Sequence, residues 1–381
     1  MKKTILSLAM FGAFTGAAMA QSSVQLYGII DMGVEHLTYD NTSVNRLGSG
    51  VQSGSRIGLK GTEDLGGGLS AIFQAETGFC ANGNGPGVYN HALDPTQGAQ
   101  AQAGGSYCTS GSTFMGRTSM VGLKGNFGEV VAGRLYTDYF SNAGAVDPFS
   151  TGLTGSITNI DTGALTYVRA SQVLAYVSPS FAGLQGVAAY AFGGQSTGNA
   201  NGQGYNLSLK YSNGPIFAGI GYLHHNLTPA ATAVGITDGY ETNKFTQVFG
   251  SYDFGVAKIS GLYAQEKYAT NQPVQGPDNQ VWMLGATVPV GPGAILASYS
   301  QIKNKNVADS AAKQIAIGYT YSLSKRTDLY TSYSRINNDS NVDQYVGDAT
   351  VAGGSGAIYG TAPVAGGASS SGFALGIRHQ F

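Results

Sequence analysis

The sequence predicts an all-β chain: a 16-stranded antiparallel transmembrane β-barrel with short turns at one rim, long loops at the other and an inward-folded third loop. Two observations carry that prediction. Segments of period-two alternation, bulky apolar residues against small or polar ones, recur along almost the whole chain, the mark of strands with two unlike faces. The connections between them alternate in length, which a barrel with turns below and loops above requires.

The chain opens with Lys2 and Lys3, an apolar run from Ile5 to about Ala17, and Ala18-Met19-Ala20. This order of charge, apolar run and small-residue cleavage pattern predicts a secretory signal peptide over 1–20, with 21–381 as one barrel domain. The apolar run is shorter than the roughly 20 residues of a spanning helix. Removing it lowers Lys plus Arg from 20 to 18 against 21 Asp plus Glu, a net charge of −3. So balanced a chain, only 11% charged, is not a nucleic-acid binder. Gly 58 and Tyr 23 beside Trp 1 favour turns and aromatic-bearing strands.

Strands are expected near 23–38, 52–62, 68–79, 113–125, 128–137, 171–178, 183–194, 203–212, 216–226, 242–253, 256–269, 279–289, 293–303, 312–322, 326–338 and 371–381. In YNLSLKY, Tyr205, Leu207, Leu209 and Tyr211 share one face, with Asn206, Ser208 and Lys210 on the other. In QIAIGYTYSL, Ile315, Ile317, Tyr319, Tyr321 and Leu323 oppose Gln314, Ala316, Gly318, Thr320 and Ser322. A sandwich core needs bulk on its inner face; here lipid outside and water inside fit better. Short connections such as EDLGGG, GNFG, SNGP and PVGP alternate with long ones at 39–51, 80–112, 138–170, 195–202, 227–241, 270–278, 304–311 and 339–370. An even count closes the barrel, and sixteen strands leave an aqueous channel. Cys80 and Cys108, alone in an exported chain, are expected to form a disulfide across the second long loop.

The final strand, SGFALGIRHQF, puts Phe373, Leu375, Ile377 and Phe381 on one parity and Arg378 and Gln380 on the other. An unpaired edge does not survive in lipid, so this strand must pair with the first, around VQLYGIID.

Several stretches carry a resemblance. VQLYGIIDMGVE, SGSRIGLKGTEDLGGGLSAIFQAETGF, GRTSMVGLKGNFGEVVAGRLY, VLAYVSPSFAGL, YSLSKRTDLYTSYSRI and the terminal GIRHQF occur in order across the mature chain. They resemble the general diffusion porins of Gram-negative outer membranes, specifically the Neisseria and Burkholderia group. The resemblance implies an outer-membrane homotrimer, exported through the periplasm, that passes small hydrophilic solutes and ions without a cofactor. It also implies contact with outer-membrane lipid and lipopolysaccharide, and recognition of terminal Phe381 by the barrel-assembly machinery. In such porins wall arginines face acids on the third loop, and Arg56, Arg117 and Arg169 resemble that set, with Asp147 in DPF as the loop acid and Asp138 and Asp161 as looser matches. A wall position that is basic in enteric relatives is Ile29 here.

Parity bears on these residues directly. With Ile57 and Leu59 toward lipid, Arg56 and Lys60 point into the lumen; with Leu69, Ala71 and Phe73 outward, Gln74 and Glu76 point in. Arg117 shares parity with Val121 and Leu123, so an inward Arg117 needs a bulge or a protein-covered outer wall. An enzyme would need a nucleophile or acid with a partnered histidine. The five histidines, His36, His91, His224, His225 and His379, lie in no such motif. His224 and His225 are adjacent on a strand and point to opposite faces, so no metal site is expected. A substrate-specific outer-membrane channel of the same fold is the alternative, and an aromatic track along the lumen would favour it.

Overall fold

The computed structural model describes residues 23–40, 42–82, 114–193, 202–226, 240–270, 276–347 and 366–381; the expected signal peptide and Cys108 lie outside them. Among the described residues, seventeen strands form one antiparallel sheet. They are β1 Ser23–Tyr39, β2 Thr42–Ser49, β3 Arg56–Gly66, β4 Leu69–Gly78, β5 Ser119–Gly125, β6 Gly128–Tyr136, β7 Arg169–Val177, β8 Leu184–Phe192 and β9 Gln203–Asn213. The rest are β10 Ile216–Asn226, β11 Tyr240–Asp253, β12 Lys258–Thr270, β13 Asp278–Val290, β14 Gly293–Asn304, β15 Ala311–Ser324, β16 Thr327–Asn338 and β17 Ser369–Gln380. From β3 onward each strand pairs with the next, and β17 pairs back onto β1 from Ile29↔Gln380 to Tyr39↔Ser370. The seam extends to the last residue, where Gly28 and Phe381 exchange both backbone hydrogen bonds at 3.1 Å.

Seventeen strands make sixteen staves because the second stave is broken. One half of β1 pairs with β2, from Met32↔Ser49 to Tyr39↔Thr42, and the other with β3, from Ser23↔Thr62 to Ile29↔Arg56. Between them, at 50–55, the chain leaves the ladder and Asp31 holds it. The Asp31 carboxylate accepts from the backbone N–H groups of Gln52 at 2.8 Å and Ser53 at 2.5 Å, and from the hydroxyl of Tyr330 at 2.6 Å. The loop expected at 39–51 is therefore largely strand, and β3 starts at Arg56 rather than 52. β2 escapes a reading by apolar alternation because its exposed residues include Ser43 and Asn45 beside Leu47, at the rim above the apolar belt.

The alternation is as expected on the outer face. Ile315 and Ile317 are 58% and 56% exposed, whereas Gln314 and Ala316 between and beside them are 0% and 3%. Phe373, Leu375 and Ile377 are exposed in the same way. What covers Gln314 is not water, however. Residues 137–168 run inside the barrel as helix α1 (Asp138–Val146), a 3₁₀ turn (Ile157–Asn159) and helix α2 (Thr162–Thr166). Tyr139, Phe140, Ala143, Val146, Ile157 and Ile160 pack with Phe245, Leu262, Val281, Met283, Ile302 and Ile336 of the inner wall. Phe149 and Leu153 pack with Val51, Leu296, Tyr330 and Ala374.

The small polar wall residues fasten the loop's backbone. Gln247 Nε2 donates to the carbonyl of Tyr139 at 3.0 Å, and Gln314 Nε2 to those of Gly155 and Ser156 at 3.1 Å each. Ser334 Oγ donates to the carbonyl of Thr154 at 2.6 Å. Glycine makes room where the loop presses hardest: a Cβ on Gly285 would lie 2.5 Å from Pro148 Cγ.

Candidate pore constriction

With the loop against β9–β17, the open part of the lumen is a cavity of ≈ 1460 Å³. Its wall side is built mainly from β1 and β3–β8, with Asn206 and Lys210 of β9 and Leu223 and His225 of β10; its loop side presents Asp138, Thr158, Asn159, Thr162, Leu165 and Thr166. The parity expectation for β3 and β4 holds: Arg56, Lys60, Gln74 and Glu76 all line this cavity, as does Ile29.

Glu76 is the hub of the wall cluster. Arg117 Nε lies 2.6 Å from Glu76 Oε1 and Arg56 Nε 3.7 Å from Glu76 Oε2, while the Tyr27 hydroxyl donates to Oε2 at 3.0 Å. Gln74 Nε2 donates to the Tyr27 hydroxyl at 2.6 Å, and Lys60 Nζ sits 5.3 Å from the centre of the Tyr27 ring. Arg117 also donates to the Tyr136 hydroxyl at 2.7 Å. Arg169 donates to the same oxygen and lies over the Tyr136 ring at 4.1 Å. Two arginines thus pair with one carboxylate, and Lys60 and Arg169 join the cluster through Tyr27 and Tyr136.

Arg117 reaches this cluster through a bulge. Ser119 pairs with Ala75, but then the backbone N–H of Glu76 donates to Thr118 while that of Arg117 donates to Glu76. Arg117 and Thr118 together face one residue, the two-against-one count that resets strand parity. Tyr27 and Tyr136 are the residues that reading by composition misses, because aromatics in such a chain look like girdle residues. Tyr27 had a signal, since it alternates with outward Leu26. Tyr136 had none: parity would send it out with Val130, yet at the end of β6, where the ladder to β7 becomes irregular, it lines the cavity beside Leu135.

Of the loop acids, Asp147 and Asp161 are buried away from this cavity, and Asp138 lines it as half of an ion pair. Asp147 is buried, and its carboxylate accepts from the N–H groups of Phe149 at 3.0 Å, Thr151 at 2.9 Å and Ile157 at 3.0 Å. Burial pushes its carboxyl up to about 6, against the pull of those donors. Asp147 is thus an internal brace of the loop rather than a charge presented to the arginines. Asp138 lies 2.6 Å from Lys210 Nζ and also accepts from Ser208. Asp161 caps α2, accepting from the N–H of Ala164 at 2.7 Å. Elsewhere, Cys80 is in a disulfide.

Residues 6–341 match the family model described as Gram-negative porin. The chain belongs to the Gram-negative porin family. Outer membrane porin protein 32 of Delftia acidovorans is 36% identical over 396 residues, covering 100% of both chains. Major outer membrane protein P.IB of Neisseria gonorrhoeae is 27% identical over 372 residues, covering 92% of this chain and 98% of that protein. Among solved structures, the anion-selective porin from Comamonas acidovorans superposes with a TM-score of 0.74 at 31% identity, covering 94% of this chain and 100% of that one. The porin is therefore a barrel of the Gram-negative outer membrane. Its lumen is the route for small hydrophilic solutes and ions.

Proposed function

We propose that this porin passes solutes passively and favours anions at a constriction between the Arg56, Lys60, Arg117 and Arg169 wall and the edge of the inner loop. The observation that carries the reading is the withdrawal of the loop acids. Asp147 and Asp161 are buried, and Asp138, which lines the cavity, is paired with Lys210, so the loop leaves no unpaired acid opposite Arg56, Lys60 and Arg169; Arg117 stands buried behind them on Glu76. Fixed positive charge on a low-dielectric wall concentrates anions and repels cations without a binding step. The Comamonas relative, described as anion-selective, supports the same sign. No catalytic step or cofactor enters this account.

Replacing Arg56 and Arg117 by Gln is expected to shift the zero-current potential across a salt gradient toward cations. An unchanged potential in planar bilayers would overturn the assignment.

We infer further that the porin works as a homotrimer with Cys80 and Cys108 bridged, and that Phe381 is the mark read by the barrel-assembly machinery. Lipopolysaccharide is the partner of its loop-side rim. On the turn side, cations stand opposite acids in the ladder, Lys124 with Glu129 and Lys258 with Asp253. On the loop side Lys244 stands opposite Lys267, both exposed, and like charges so placed favour an external anion.

A further inference from the structure

Asp161 of the loop and Glu266 of β12 meet beneath α2, and both are 0% exposed. Asp161 Oδ1 holds α2 from within the loop through Ala164. Glu266 holds it from the wall, accepting from the N–H of Gly163 at 2.7 Å and from the hydroxyl of Thr162 at 2.7 Å. The other oxygen of Asp161, Oδ2, is buried without a donor among the described residues. Gly163 and Ala164 are adjacent, so the two carboxyls that accept from their N–H groups stand side by side at the first turn of α2, near enough to interact directly.

Two carboxylates cannot hydrogen-bond to one another unless one carries a proton, and buried like charges in contact do not both ionise near neutrality. Burial first, and the charge of Glu266 second, push the Asp161 carboxyl well above its ordinary range. The polar groups facing the pair do not neutralise it. They are Tyr139 from α1, Tyr268 from β12, Asn279 from β13 and Tyr167 after α2, with Asn243 of β11 and His225 of β10 bonded to the Tyr167 hydroxyl. Among the described residues, no lysine or arginine forms an ion pair with either acid, and the nearby Lys244 and Lys267 are exposed on the outer face.

We propose that Asp161 and Glu266 share one proton that latches the constriction loop to the inner wall, and that losing this proton partly closes the channel. The inference rests on the cavity being the conducting path. When the shared O–H bond breaks, the proton leaves to lumen water and two negative charges face each other across the loop–wall contact. Gly163 already touches the wall, since a Cβ there would lie 2.6 Å from Glu266 Oε1. Thr162, Leu165 and Thr166 line the lumen. Repulsion therefore has one direction in which to move α2, away from β12 and toward the basic wall. The sign follows from the raised Asp161: the latch is intact below its folded-state value and is lost as pH rises through it.

The test is single-channel recording of the full porin in planar bilayers from about pH 6 to about pH 9, below the ordinary range of tyrosine and lysine. Wild-type current is expected to fall by about two-fold or more, as closures or a lower conductance, on the alkaline side. Asp161→Asn is expected to stay open throughout, because an amide N–H in place of the donor-free Oδ2 replaces the shared proton; Glu266→Gln is expected to stay open as well, its amide N–H reaching Asp161 while the Thr162 hydroxyl turns from donor to acceptor. Tyr268→Phe keeps the wild-type fall, which sets the tyrosine aside. A flat wild-type profile, or the same fall in both amide variants, overturns the latch. Absence of ion current at neutral pH in properly inserted protein overturns the channel reading and the latch with it, whereas current with a flat profile overturns the latch alone.

Discussion

The two halves of the inner wall look alike in sequence and do different work. From β9 to β17 most inward residues are small, polar or apolar, and many lie under the loop: Gln247, Gln314, Ser332 and Ser334 are all nearly or wholly buried, while Lys210 and His225 remain at the edge of the cavity. From β1 to β7 the inward residues include Arg56, Lys60 and Glu76, and they face the open cavity. In the first half polar groups bond to loop backbone, which leaves the loop rigid and its acids turned inward. In the second they bond to one another, which leaves excess charge for passing ions. A small polar inward face therefore does not by itself mean a wet one. What decides is whether backbone amides or water complete its hydrogen bonds.

The sharpest way to break the comparison is at the hub of the open half. Glu76→Gln leaves Arg117, 3% exposed, without its carboxylate. Breaking a buried pair from one side costs about 3–5 kcal/mol, so the purified porin should melt at a clearly lower temperature in detergent. The surviving channels should gain anion preference, since the wall loses its acid. An unaltered melting point would mean that Glu76 does not organise the cluster.

How far the sequence speaks also differs between the halves. Sixteen staves, the closing seam and the inward parity of Arg56, Lys60 and Glu76 are legible because strand periodicity is fixed by the pleat. Arg117 is legible only as a contradiction, an arginine on an apparently outward parity, which a bulge at Glu76 resolves. β2 is hidden because Ser43 and Asn45 leave no apolar stripe at the rim. The loop is the least legible part. Its fold has no period, and Asp147 resembles a presented acid although its three donors come from its own loop. Nothing local in DPF distinguishes a carboxylate aimed at the pore from one that braces the chain.

The brace gives the next test. Asp147→Asn replaces one accepting oxygen with an amide N–H, so at least one of the Phe149, Thr151 and Ile157 N–H groups loses its partner. An orphaned buried donor costs about 1–3 kcal/mol. Because Asp147 is buried within the loop, the effect should fall on the loop and leave the barrel intact. Protease cleavage within 137–168 should rise and current noise should grow, while the melting temperature of the barrel changes less than in Glu76→Gln. If instead the substitution shifts the zero-current potential as strongly as removing Arg56, Asp147 acts as a pore charge and the division between the two halves fails.

The smallest effect is expected where many equivalent bonds share the load. Ser332 Oγ lies 2.9 Å from Thr154 Oγ1 and accepts from the Thr154 backbone N–H at 3.3 Å. Ser334, Gln314 and Asn159 bind the same stretch, with Asn159 donating to the Thr154 carbonyl at 2.8 Å. Ser332→Ala should therefore cost about 0.5–1.5 kcal/mol. The loop should stay seated, because the hydrophobic contacts of Phe149 and Leu153 remain. Conductance should be unchanged and proteolysis of the loop only slightly faster. A large increase in proteolysis would show that the dry half is held by a few critical hydrogen bonds rather than by a distributed seam. In that case its resemblance to the hub-like open half would be closer than the burial pattern implies.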